Sequence, residues 1–161
     1  MIRKPSFMVL VAAAVLSCGG DATGPEVGVC DTRHGAEVCA DRAEYERSET
    51  VVVTTRNVSS RPIFQDVCST KLVGVTSLAR TFEEDYNPRL RCGNGATAAD
   101  VRANMVRIEP GESFDERLSF TLFAFQGYYR ANVWIVDEEG QLAAETPATS
   151  GVFRVFPSSG E

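Results

Sequence analysis

Residues 113–125 read SFDERLSFTLFAF, and their alternation decides the fold. Phe114, Leu118, Phe120 and Leu122 share one face, while Asp115, Arg117, Ser119 and Thr121 share the other. That period of two belongs to a β-strand with one buried side. Pro110-Gly111 is a turn pair that sets the start of this strand and ends a short one over residues 106–109. Outward in both directions the same texture continues. Residues 50–57 (TVVVTTRN) are rich in β-branched side chains and stop at the turn cluster Asn57-Val58-Ser59-Ser60-Arg61-Pro62. Further strands are expected over residues 63–68, 71–77, 128–136 and 152–156, with an edge strand over 37–45. Asp137-Glu138-Glu139-Gly140 reads as a tight turn before a short strand near Leu142. Residues 96–106 (ATAADVRANMV) are helix-compatible and fit a short helical turn between strands.

Seven or eight short strands with turn residues at intervals predict an all-β sandwich, expected here as an immunoglobulin-like Greek key. Gly127-Tyr128-Tyr129-Arg130-Ala131 resembles the corner before the penultimate strand of immunoglobulin-like domains, where Gly-x-Tyr-x-Cys is common. The resemblance gives Tyr129 the corner position, its hydroxyl bonding to upstream backbone, and puts Ala131 where the inter-sheet cysteine would stand.

The chain has 161 residues, of which 43 % are hydrophobic and 24 % charged, so it has the composition of one globular domain behind a leader. Arg3 and Lys4 precede an unbroken apolar run from residue 7 to residue 16. Ten apolar residues are too few to span a bilayer and fit the core of a signal peptide, residues 1–17. Val15-Leu16-Ser17-Cys18 resembles the lipobox of bacterial lipoproteins, with Val15-Leu16 slightly off the usual leucine and small residue. The resemblance implies cleavage before Cys18, a diacylglycerol on its thiol and acylation of the new amine, which together anchor a protein stably. Gly19 after Cys18, rather than aspartate, points by the same analogy to the outer membrane. Residues 18–29 then form a lipidated flexible tether, residues 30–156 the sandwich and residues 157–161 a polar tail.

Loss of Arg3 and Lys4 leaves 14 basic against 22 acidic side chains, a net charge of about −8. Such a body repels nucleic acid and anionic head groups. After the leader, Lys71 is the sole lysine. Cys30, Cys39, Cys68 and Cys92 are an even set in an exported chain and read as disulfides. Of the three possible pairings, Cys30–Cys39 and Cys68–Cys92 are favoured. The first closes a short loop at the tether, and the second staples a polar excursion that has little to bury. A metal site built on Cys30, His34 and Cys39 with Cys68 or Cys92 is the alternative, but Cys-x3-His-x4-Cys lacks the tight Cys-x2-Cys turn of structural zinc sites.

Most catalytic constellations fail on inventory. His34 is the lone histidine, and no Gly-x-Ser-x-Gly, His-Glu-x-x-His, Cys-x-x-Cys or phosphate-cradling loop is present. Glu83-Glu84-Asp85 and Asp137-Glu138-Glu139 lack the oxygen spacing of a calcium loop and read as solvated turn acids. Asn57-Val58-Ser59 is a glycosylation sequon that, in a bacterial export context, reads as a turn. Phe123, Phe125, Tyr128 and Trp134 lie on the less regular faces of their strands and offer either core filling or a recognition patch.

Asn57 to Pro62, then Pro110-Gly111-Glu112-Ser113, then Gly127-Tyr128-Tyr129-Arg130 follow an order that resembles the intracellular proteinase-inhibitor domain family (BsuPI-like), over roughly residues 50–156. The resemblance implies topology first and protease inhibition second. That family's Gly-Gln-containing strand end and tryptophan-bearing hairpin are not matched, and Cys68 and Cys92 occupy that region. The expected function is a non-catalytic, cofactor-free binding or structural module tethered in the envelope, contacting a protein or surface polymer through its loops. A protease inhibitor and a small metal-dependent or hydrolytic enzyme are the alternatives, the first turning on residues 69–91 and the second on His34 and Glu83–Asp85.

Overall fold

The computed structural model describes residues 28–75, 92, 97–120 and 126–158. It contains ten strands and one short helix: β1 Cys30–Arg33, β2 Ala36–Ala40, β3 Glu44–Glu46, β4 Thr50–Asn57, β5 Ile63–Val75, α1 Ala98–Asn104, β6 Val106–Ile108, β7 Ser113–Ser119, β8 Gly127–Val136, β9 Ala148–Thr149 and β10 Phe153–Phe156. One sheet runs β1-β2-β4-β7 and the other β3-β10-β8-β5-β6, with β9 also paired to β8. All pairs are antiparallel except β3 with β10, which is parallel. The chain passes from one sheet to the other between β2 and β3, with β3 parallel to the last strand, and the all-β sandwich expected from the sequence is present with both disulfides.

Alternation builds the core. Val51, Val53, Thr55 and Asn57 point inward from β4, and Tyr129, Ala131, Val133 and Ile135 do so from β8. At one end Phe120 meets three rings edge-on: Tyr129 at 5.5 Å, Tyr45 at 6.4 Å and Phe153 at 6.5 Å between centroids. Each such pair contributes about 0.5–1.5 kcal/mol beyond its burial. The inward face of β7 also carries Glu116, a charge the apolar reading of that strand passes over. Its Oε2 accepts a 3.0 Å bond from Gln65 Nε2 in the interior. Residues 121–125, the rest of that expected strand, lie outside the described residues.

Three expectations change. Residues 37–45 are not one edge strand but two, β2 and β3, in different sheets. Asp41 makes the crossing: its N–H donates to Val52 O at 2.9 Å, and its Oδ1 accepts from Val52 N at 2.8 Å, so the side chain takes over where the ladder ends. Tyr45 Oη donates to the same Oδ1 at 2.7 Å and accepts from Arg42 N at 2.9 Å. A tyrosine hydroxyl thus bonds back to upstream backbone at Tyr45, a position the sequence reading did not single out, and Tyr129, the expected corner residue, is buried with its ring edge-on to Phe120. Second, residues 63–68 and 71–77 are not separate strands but the single strand β5 up to Val75, with an irregularity between Asp66 and Lys71. Asp66 Oδ1 accepts from Cys68 N at 2.8 Å and Thr70 Oγ1 donates to Asp66 O at 3.2 Å, which satisfies the looped-out backbone locally. Third, the strand near Leu142 shrinks to one bridge, Val136 with Leu142.

The helical turn is α1, capped at Thr97, whose hydroxyl accepts from Asp100 N while the Asp100 carboxylate accepts from Thr97 N. Its Val101 packs with Cys68 and Val136 against the outer side of the second sheet, next to the Cys68–Cys92 bridge. Among the described residues no helix is long and apolar enough to cross a membrane.

Burial raises the Asp41 carboxyl, but the bonds from Tyr45 and from the Val52 and Asp41 backbone outweigh it and hold the group below its ordinary value of 3.8. A lowered native value means its contribution is complete above the ordinary value and lost as pH falls through the native one. Asp41→Asn is therefore expected to lower the melting temperature near neutral pH and to flatten its fall between about pH 5 and 3, read by thermal unfolding across that range. An unchanged acid slope would contradict the role given to Asp41.

Candidate functional site

Strand β8 has its inner side chains in the core, so Tyr128, Arg130, Asn132 and Trp134 must share the opposite face. On β5, Val73 lies opposite Arg130 and Lys71 opposite Asn132, which puts their side chains on that same face. On the other flank Thr149 of β9 lies opposite Asn132. The chain then runs through Glu145, Thr146 and Pro147, which wall in a cavity of about 210 Å³ together with Lys71, Val73, Arg130, Asn132 and Trp134. A second cavity of about 320 Å³ opens beside it between Asp31, Thr149 and Gly151, and Arg130 lines both.

The hairpin β1–β2 closes this edge. It turns at His34-Gly35, whose φ values of 53° and 77° are the left-handed pair that a two-residue hairpin turn demands. The Cys30–Cys39 bridge joins residues directly opposite each other across that hairpin, rather than tying a loose tether to the domain. From it Asp31 Oδ2 accepts from Thr149 Oγ1 at 3.1 Å and from Arg33 Nε at 3.1 Å, and His34 Nε2 lies 3.1 Å from Thr146 Oγ1. Ser150 Oγ accepts from Ala131 N at 2.9 Å, so a side chain continues the ladder where β9 ends.

The electrostatics are unusual for so acidic a chain. Arg130, Lys71 and Arg33 converge here against Asp31 and Glu145. Burial pushes the Arg130 guanidinium below its ordinary value; the nearby Arg33 charge acts in the same direction and Asp31 against it. Two polar atoms in the interior of this region have no hydrogen-bond partner among the described residues: Arg130 Nε and Asn132 Oδ1. Asn132 is only 6 % exposed, so water does not simply replace the missing bond. Arg130 and Asn132 both line the cavity, and a ligand that reached these closed-off atoms would need to offer both an acceptor and a donor.

Of the residues singled out from sequence, Tyr128 and Trp134 do lie on this face, half-buried, while Phe123 and Phe125 are outside the described residues. Cys18 and Glu83-Glu84-Asp85 are also outside them, as is the 69–91 excursion beyond Val75. His34 is exposed at the hairpin tip, and Cys30, Cys39, Cys68 and Cys92 are consumed in disulfides. Among the described residues no three His, Cys, Asp or Glu side chains group to hold a metal. The acids of residues 137–139 form a turn in which Asp137 Oδ1 accepts from Glu139 N and Gln141 N. Asn57 is fully buried, its Nδ2 donating to Arg61 O at 2.7 Å and Ile108 O at 2.9 Å, so the sequon is a turn anchor. The sequence reading missed Arg130 and Asn132. The available clue was the polar–aromatic series Tyr128, Arg130, Asn132, Trp134 alternating with an apolar one.

Close packing at Gly151 shapes the larger cavity: a Cβ there would overlap the Gly28 carbonyl and lie 2.8 Å from Cys30 N. Gly151→Ala should therefore cost about 1–3 kcal/mol in denaturant unfolding, because the paired backbones must part. A cost near zero would mean that the chain entering at Gly28 does not hold this position.

Comparison with known proteins finds no matching family model, no similar curated protein and no matching solved structure.

Proposed function

We propose that this chain is a lipid-anchored protein of the bacterial envelope whose sandwich is a non-catalytic binding module for a surface polymer. The leader and lipobox-like Val15-Leu16-Ser17-Cys18 support the anchor. Two disulfides fit an oxidising compartment. The observation that carries the binding role is the pair of orphaned polar atoms, Arg130 Nε and Asn132 Oδ1, on a cavity wall beside half-buried Trp134. Leaving both unsatisfied costs stability that a polar ligand would restore. The tether, residues 18–29, would hold this face within reach of polymers close to the membrane.

Two measurements test the two halves. Cys18→Ser is expected to abolish labelling by radioactive palmitate and to leave the uncleaved precursor, whereas retained label would refute the anchor. The full chain in detergent micelles should co-sediment with insoluble cell-wall material, and Trp134→Ala with unchanged circular dichroism should lose most of that binding. Equal sedimentation of the two would refute this face as the binding surface.

A further inference from the structure

We infer that the cavity between Trp134, Arg130, Asn132 and Lys71 takes a sugar ring bearing a carboxylate, and that the polymer bound by this face is a uronic-acid polysaccharide. The inference rests on the binding role proposed above and adds the ligand's chemistry.

Size comes first. A cavity of about 210 Å³ lies below the 300–1,000 Å³ range of drug-sized pockets and has the volume of about seven waters. It admits one six-membered ring rather than a folded peptide segment. The adjoining cavity of about 320 Å³ shares Arg130, so a chain of such rings can pass from one to the other without leaving the guanidinium.

The wall chemistry selects the ring's substituents. Trp134 supplies an apolar aromatic surface for the C–H face of a pyranose. Arg130 offers charge-assisted donors, and its planar fork matches a carboxylate in two-point contact. Burial and the adjacent Arg33 already disfavour charge on Arg130, so an anion seated there relieves a repulsion the free protein carries. Donors alone would suit any acid. The buried Asn132 Oδ1 and the exposed Glu145 carboxylate, however, are acceptors and need hydroxyl donors. An acidic peptide side chain satisfies the first set and leaves the second open. A neutral sugar does the reverse. A uronic acid satisfies both.

Trp134 is the sole tryptophan of the chain, so its emission reports on this cavity alone. The experiment titrates the full chain in detergent micelles with trigalacturonate and triglucuronate. Methyl-esterified trigalacturonate, polyglutamate and inorganic phosphate serve as comparisons, and calorimetry is run in parallel. The expected result is a saturable change in Trp134 emission with one or both acidic trisaccharides, weakened roughly tenfold or more by esterification, as loss of a charged hydrogen bond requires. Asn132→Asp, nearly isosteric but negative, and Arg130→Gln should each weaken binding to a similar degree, while Arg130→Lys should recover part of it. Esterified sugar binding as well as the acid, or polyglutamate or phosphate binding as well as either, would overturn the inference. So would the absence of saturable binding by both acidic trisaccharides. If cell-wall sedimentation still depended on Trp134 in that case, the binding face would stand and only its ligand class would fall.

Discussion

Strand β8 shares backbone hydrogen bonds with β5 along one edge and with β9 and β10 along the other, so its side chains have only two directions to take. Tyr129, Ala131, Val133 and Ile135 go into the sandwich, where hydrophobic burial is the main stabilising term. Tyr128, Arg130, Asn132 and Trp134 are thereby forced together on the outside, at a strand spacing that brings neighbours into contact. The polar face is not an addition to the core. It is the other half of the same alternation, and a one-residue slip of β8 against β5 would exchange the two.

What surrounds β8 then determines how wet that face is. On one flank α1 covers the sheet near Val136 with Val101 and the cystine at Cys68. On the other, β1 and the segment through Thr146 fold up as a rim, held by Asp31 on Thr149 and His34 on Thr146. Between these walls Arg130 Nε and Asn132 Oδ1 lose their water without gaining a hydrogen-bond partner among the described residues. An open, flat sheet carrying the same residues would have left them solvated and ordinary. The cavity owes its chemistry to the rim as much as to the strand.

The two disulfides act in different places. Cys30–Cys39 locks the hairpin that builds the rim, a two-stranded element that is marginal on its own. Cys68–Cys92 sits at the irregularity of β5, where Asp66 and Thr70 replace ladder bonds with local ones. At the opposite end Asp41 and Tyr45 close the sheet-to-sheet crossing. In the last two places a covalent or side-chain bond stands where backbone pairing fails, as expected when interior polar groups must be satisfied.

Residues 113–119 were legible as a strand because one face is dry and dryness shows as period two, and residues 50–57 because β-branched side chains crowd there before a turn. Both disulfides were legible from the number and spacing of the cysteines. The crossing at Asp41 was not, since β2 and β3 together look like one edge strand until their partners are known. Nor was the continuity of β5, because the residues around Cys68 resemble a turn locally. Sequence alone determined the sandwich, its main strands and its crosslinks, all properties of short segments and of counting. Only the tertiary structure decided that Arg130, Asn132, Lys71, Trp134 and Thr146 line one cavity. Those residues come from three separate stretches of chain, and their burial depends on which edge of the sheet the first hairpin covers.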